Sequence, residues 1–149
     1  MTTEEIVLIK KSWKKLQGVN PLLIADLFYS KLFTDKPALR KMFPLQMEAQ
    51  YNKLTDMLHT IVSRLDTPYL LNQEITLMAE RHRKYGVRPA HYIMVGNALL
   101  WTLEKALDKD WSGATRDAWL KCYSKISGIM MNPESKNSNG SFEIYQGSL

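Results

Sequence analysis

Apolar residues recur along this chain at intervals of three and four, and no segment alternates apolar and polar positions as a half-buried strand would. The pattern predicts helices from end to end. Thr2 with Glu5 fits a capping box, and Ile6, Ile9, Trp13 and Leu16 follow on one face, so a first helix is predicted to end near Gln17-Gly18. Asn20 caps a second helix with Pro21 in its first turn; it carries Leu23, Ala25, Leu27, Phe28 and Leu32 and runs to about Phe33. Thr34 and Pro37 open a short third helix ending near Met42-Phe43, and Pro44 enforces a turn after it. A fourth helix over roughly 47 to 65 turns Leu54, Leu58, Ile61 and Leu65 inward.

Thr67-Pro68 starts the next helix, which reaches Tyr85 before Gly86 breaks it. Pro89 begins another, through about Leu107, with Tyr92, Val95, Leu99 and Leu103 on one face. Ser112 caps the last, whose inner face is Trp119, Tyr123, Ile126 and Met130, and Asn132-Pro133 should stop it. Seven helices of unequal length, with no glycine-rich phosphate loop and no repeat, predict an all-α domain over residues 1–132 whose helices cross around something rather than forming a symmetric bundle. Residues 133–149 are rich in Ser, Asn and Gly and are predicted to be a polar, flexible tail.

Within this frame His82 is the most informative side chain. Met78, Ile75 and Leu71 precede it by four, seven and eleven residues, so all four share one helical stripe and the imidazole is predicted to be buried. A buried imidazole needs a partner: a hydrogen-bond acceptor, a proton relay, or a metal ion facing its neutral nitrogen. Spacing alone leaves all three open.

Composition narrows the class. At 149 residues the chain forms one domain, with room for a core and a ligand pocket, and no apolar run approaches the roughly 18 residues of a membrane span. The opening MTTEEIVLIKK carries acids where a signal peptide carries positive charge, so the cytoplasm is the expected compartment. Cys122, the single cysteine, fits a reducing compartment and a packed small side chain. The net charge of +5 comes from scattered pairs such as Lys10-Lys11, Lys14-Lys15 and Arg83-Lys84 rather than a continuous stripe. No nucleic-acid partner is expected, and the basicity suits a smaller anionic partner.

Several words of the sequence are specific. They are LIKKSW in the first helix, LFYSKLF with Pro37 four residues beyond Phe33, KMF at the end of the short helix, RHRKYGV followed by AHYIMVG, and DAW with Tyr123 four residues after Trp119. Over residues from about 4 to 132 the chain resembles a globin. In pattern it is similar to bacterial single-domain globins and the haem domain of flavohaemoglobins, with neuroglobin a more distant likeness in the first, fifth and last helices.

The resemblance implies a globin fold, haem b as cofactor, and His82 as the proximal iron ligand, with the opposite face open for a gas. It implies that Phe43 packs on the porphyrin and that Leu54, Met78, Val87 and Val95 line the pocket, although each of these would also serve as ordinary core. Gln50 falls at the distal position in place of histidine, and Tyr29 projects to the same cavity. Phenol and carboxamide hydrogens can both donate to dioxygen that carries partial negative charge, which implies slow release and high affinity. Glutamine is a poor iron ligand, so the resting ferrous haem is expected to be five-coordinate. Lys53, one turn past Gln50, can pair with a haem propionate or swing in as a ligand. His59, beside Thr55, Asp56 and Ser63, is expected to be solvated. On the proximal side Tyr92 and Glu134 match the flavohaemoglobin pair that hydrogen-bonds the imidazole; Pro133 stands immediately before Glu134 and disturbs that helix.

The function so implied is reversible binding of dioxygen, with nitric oxide and carbon monoxide as further ligands. An enzymatic alternative is nitric oxide dioxygenation, or peroxidase-like detoxification. With no flavin or nicotinamide segment in these 149 residues, it would need a separate reductase. A gas-sensing module is a third reading. Oligomeric state is not legible.

Overall fold

The computed structural model describes residues 1–132. Among these it contains six α-helices, α1 (Thr3–Leu16), α2 (Pro21–Asp35), α3 (Glu48–Ser63), α4 (Pro68–Lys84), α5 (Pro89–Leu107) and α6 (Gly113–Met131), with short 3-10 turns at Pro37–Met42 and Asp108–Asp110. The expectations for Glu134 and the 133–149 segment lie outside the described residues. No helix among the described residues is long and apolar enough to cross a membrane.

Helix starts follow the capping chemistry. The Thr2 hydroxyl accepts from the Glu5 N–H at 3.1 Å, the Asn20 carboxamide oxygen from the Leu22 N–H at 3.0 Å, and the Ser112 hydroxyl from the Thr115 N–H at 3.1 Å. Pro21, Pro68 and Pro89 each open a helix, where their missing N–H costs nothing. Two starts differ from expectation. Thr34 lies inside α2, which continues to Asp35 until Pro37 stops it, and the short third helix is a 3-10 turn. The Thr67 hydroxyl donates back to Arg64 O at 3.3 Å, so it holds the preceding turn and makes no cap hydrogen bond.

The core is built by the inward stripes. α2 packs on α5 and α3, while α6 packs on α1, α4 and α5. Ile9, Leu16, Leu32, Leu71, Ile75, Leu100, Leu103 and Trp119 are almost fully enclosed. Leu23, expected inside, is half exposed, because the buried face of α2 is Ile24, Ala25, Phe28, Tyr29 and Leu32. Trp119 donates its indole N–H to the Ser12 hydroxyl at 2.8 Å, and Ser12 donates to Ile9 O at 2.8 Å. This chain of bonds ties α6 to α1 with every buried polar group in it satisfied. Cys122 is buried and free, its thiol pushed up to about 12 by burial, so it is packed and unreactive.

One consequence of the topology positions the site. The consecutive helices α3 and α4 are joined by four residues, and Arg64 at the end of α3 is ion-paired to Glu74 in α4 at 2.5 Å. Yet they do not form a closely packed pair: α3 leans on α1 and α2, α4 on α6. The two helices are therefore supported by different neighbours rather than by each other.

Candidate functional site

His82 stands in the last turn of α4, two residues before the helix ends. Gly86, at φ +82°, takes the left-handed conformation that ends this helix, and the Val87 N–H reaches back to His82 O at 3.1 Å. The imidazole is half-buried rather than fully buried as expected, because only one side of it rests on the core stripe of Leu71, Ile75 and Met78. Its Nδ1 is 2.8 Å from Met78 O. A carbonyl can only accept, so Nδ1 carries the proton and Nε2 keeps its lone pair. Burial holds its pKa below the ordinary value of 6.5, against the opposing effect of the Met78 bond. The side chain is a neutral imidazole with an oriented, unprotonated Nε2.

Elsewhere in the fold, α2 and α3 bring a polar pair together in an aromatic setting. Gln50 Nε2 donates to the Tyr29 hydroxyl oxygen at 3.0 Å, although the two lie 21 residues apart. Tyr29 packs edge-on against Phe28 and Phe43, with ring centroids 4.9 and 5.5 Å away, and stacks on Phe33 and Tyr51 at 5.8 and 5.5 Å. Burial pushes its pKa up to about 12, so the phenol keeps its proton at any physiological pH. Because the phenol oxygen accepts from Gln50, its own hydrogen is left to donate.

Two residues of this region were not singled out in the sequence. Tyr51 stacks on Tyr29 at an interplanar angle of 4° and donates its hydroxyl to Asp26 at 3.1 Å, which pins the ring. Arg40 donates to the carbonyls of Phe43, Pro44 and Leu45 at 3.3, 2.9 and 3.1 Å, and its guanidinium lies 5.6 Å from the Phe33 ring centre. It thereby fastens the corner that carries Phe43. The adjacency of Tyr51 to Gln50 was a visible signal; Arg40 had none, since backbone carbonyls leave no trace in sequence.

The remaining expected residues divide. Leu54 and Met78 are buried, while Phe43, Val87 and Val95 are partly covered, as are Met57 and Met94. These elements therefore contribute apolar surface that the protein itself does not fully cover. Lys53 is exposed and forms no ion pair among the described residues. Tyr92 is buried, and its backbone carbonyl accepts from the Tyr123 hydroxyl at 2.7 Å; among the described residues no hydrogen bond joins Tyr92 to His82. His59 is not merely solvated: its Nδ1 accepts the Trp13 indole N–H at 3.3 Å and meets Gln17 Nε2 at 3.2 Å, tying α3 to α1. His91 is engaged elsewhere too, its Nδ1 accepting the Arg88 N–H at 3.0 Å.

The donor set suits a flat, largely apolar group that takes one axial imidazole. It offers one lone-pair nitrogen, incompletely covered apolar residues, and a hydrogen-bonded Gln50–Tyr29 pair. A crossed-helix domain with a neutral, lone-pair imidazole at a helix end belongs to a class whose members carry haem. The globin family model matches residues 26–130, and the chain belongs to the globin family, whose members bind haem.

Similarity to individual proteins is modest and extends over most of the chain. A neuroglobin from Tetraodon nigroviridis is 27% identical over 92% of this chain and 94% of its own length, so that likeness reaches well beyond the first, fifth and last helices. A flavohaemoprotein from Vibrio cholerae is 24% identical over 90% of the chain, which spans about a third (34%) of that relative. Among solved structures, a bacterial globin from Campylobacter jejuni superposes with a TM-score of 0.76 at 26% identity, covering 91% of this chain and 97% of that one. An engineered carbene transferase, a candidate nitric oxide dioxygenase from Rhodothermus marinus, gives a TM-score of 0.79 at 24% identity over 91% and 94% of the two chains and shares the fold.

Proposed function

We propose that this globin holds haem b between α3 and α4, with His82 Nε2 as the axial ligand, and binds dioxygen reversibly with high affinity. Carbon monoxide and nitric oxide are the further ligands of the same position. When bound, the haem supplies a ferrous iron with one face open to a diatomic gas. Met78 O, by holding the Nδ1 proton, fixes the tautomer and ring orientation of His82. In this reading Phe43, Leu54, Met78, Val87 and Val95 would wall the ring, and Lys53, which is exposed, would pair with a propionate.

The observation that carries this reading is the 3.0 Å bond from Gln50 to Tyr29. It uses one of the two carboxamide hydrogens on the phenol oxygen and leaves the phenol hydrogen free to donate to the ligand. A hydrogen bond to a partially charged acceptor in an apolar pocket slows ligand release. The chain has 3 histidines, and His59 and His91 are hydrogen-bonded elsewhere, so no second imidazole competes for the open face. A five-coordinate ferrous state at rest follows, in a protein working in the cytoplasm. Optical spectra of the purified protein, ferric, ferrous and with carbon monoxide, test haem content and coordination together; a six-coordinate ferrous spectrum would contradict the assignment.

The second reading is nitric oxide dioxygenation with a separate reductase. It is supported by the flavohaemoprotein likeness over 90% of the chain. The described proximal contact weighs against strong oxygen-bond cleavage, since a neutral carbonyl gives the imidazole less anionic character than a carboxylate does. Consumption of nitric oxide by the ferrous, oxygen-loaded protein, with nitrate as product, separates the two readings.

A further inference from the structure

Gln50 and Tyr51 are the third and fourth residues of α3, a helix that starts without a capping side chain, since Met47 supplies none. The first N–H groups of a helix have no partner within it, so an uncapped first turn keeps its place through the ties its side chains make to the rest of the fold. Here both ties end on α2. Gln50 Nε2 donates to the Tyr29 hydroxyl at 3.0 Å, and the Tyr51 hydroxyl donates to Asp26 Oδ1 at 3.1 Å. Asp26 and Tyr29 stand three residues apart on α2, neighbours on the surface of one helix.

These contacts form a closed loop. Asp26 holds the Tyr51 hydroxyl, the Tyr51 ring lies parallel to the Tyr29 ring at 5.5 Å and 4°, and Tyr29 returns to the helix that carries Asp26. Of the four aromatic rings against Tyr29, three belong to phenylalanines, which only packing can hold; Tyr51 is anchored by its own hydroxyl. The bond to Asp26 therefore fixes both the ring that covers a face of Tyr29 and the turn that carries Gln50. Tyr29 is buried and Asp26 is exposed, so the anchor can be removed without opening a cavity in the core.

We propose that Asp26 is a positioning residue: through Tyr51 it fixes the Tyr29 phenol, and it thereby sets how strongly the protein prefers dioxygen to carbon monoxide. The inference rests on the donor role given to Tyr29 above. A hydrogen bond weakens steeply as its angle and length leave the optimum, and it is strongest to an acceptor that carries charge. Dioxygen as a ligand carries partial negative charge and carbon monoxide carries little. Loosening Tyr29 therefore costs dioxygen and spares carbon monoxide.

The test uses the full chain loaded with haem, its Soret band checked first, and Tyr29→Phe as the reference for complete loss of the donor. Asp26→Ala, Asp26→Asn, Tyr51→Phe and the double variant Asp26→Ala/Tyr51→Phe are compared with Asp35→Ala, which removes another exposed acid of α2. Stopped-flow measures release of each gas, infrared spectra give the carbon monoxide stretch, and hydrogen exchange follows amides 48–52 in the haem-free protein. Asp26→Ala should release dioxygen about 5-fold faster, about what one ordinary hydrogen bond supplies, with carbon monoxide release nearly unchanged. Its carbon monoxide stretch should rise part of the way to the Tyr29→Phe value, and amides 48–52 should exchange faster. Asp26→Asn, which keeps an acceptor oxygen, should recover most of the wild-type behaviour, and Asp35→Ala all of it. Tyr51→Phe should match Asp26→Ala, and the double variant should be no worse than either, because one bond is removed in all three. Faster amide exchange with dioxygen release and the stretch unchanged overturns the proposal in favour of a purely structural tie. Equal acceleration of both gases overturns it in favour of a looser pocket, and a double variant worse than the sum of the singles overturns it because the two residues then act apart. Wild-type dioxygen release from Tyr29→Phe would instead fail the donor role of Tyr29, and absence of a Soret band the haem reading; either leaves Asp26 nothing to position and overturns the proposal with it.

Discussion

Gln50 donates to the Tyr29 hydroxyl across 3.0 Å, joining α3 to α2 inside an aromatic cluster with Phe43 and Tyr51. The direction of that bond decides which hydrogen is left to meet a ligand. Tyr29→Phe removes the donor and leaves Gln50 without its partner. Dioxygen dissociation should accelerate by about 10- to 100-fold, since a hydrogen bond to a charged acceptor contributes roughly 1.5 to 3 kcal/mol. An unchanged stopped-flow rate would contradict the role given to Tyr29.

His82→Ala should abolish tight haem binding while leaving the helical content intact, because the imidazole is half-buried and its only described hydrogen bond is local. Added imidazole should restore part of the Soret band. Retention of a wild-type Soret band by the alanine protein would point to another ligand.

The depressed pKa of His82 makes a signed prediction for the haem-free protein. Above the ordinary value of 6.5 both folded and unfolded chains hold the imidazole neutral, and it has no effect on stability. As pH falls below that value the unfolded chain takes up the proton first, so folding stability is lost progressively until the folded imidazole also protonates. Urea unfolding from pH 7.5 downward should show a steeper loss for wild type than for His82→Phe. Identical slopes would mean that the folded site does not resist protonation.

Ser12→Ala leaves the buried Trp119 indole N–H without its acceptor. The cost should be about 1 to 3 kcal/mol, a midpoint shift readily seen in urea. Haem spectra should be unaltered, because the pair lies between α1 and α6 and bonds neither His82 nor Tyr29.

Arg40→Ala frees three carbonyls and loosens the corner that carries Phe43. Haem transfer to an excess of an apo-globin acceptor should speed up several-fold, about what the loss of roughly 1 kcal/mol of hydrogen bonding allows. Arg40→Lys, which cannot span three carbonyls in a fork, should recover little of it.

Most of the helical frame could be read from local chemistry, because caps, prolines and the Gly86 break act within a few residues of where they stand. The helix from Pro89 to about Leu107 was legible, while Thr34 lies inside α2 and Thr67 stands at its helix start without a side-chain cap bond, since a hydroxyl that suits a cap equally suits a bond back to the previous turn. His82, Tyr29, Gln50 and Phe43 could be nominated from spacing and resemblance. That Gln50 donates to Tyr29 could not, since that partner is brought from another element. His59 shows the limit most plainly: its polar neighbours on α3 implied solvent, and a tryptophan 46 residues earlier supplies its hydrogen bond.

By itself the sequence determined the helices, the stripe that seats one histidine, and the residue types of a candidate site, because periodicity and capping are local properties of the chain. The tertiary structure alone decided that Gln50 donates to Tyr29 and that Trp13 donates to His59. Hydrogen bonds between elements depend on distances in space, and those distances exist only once the helices have crossed.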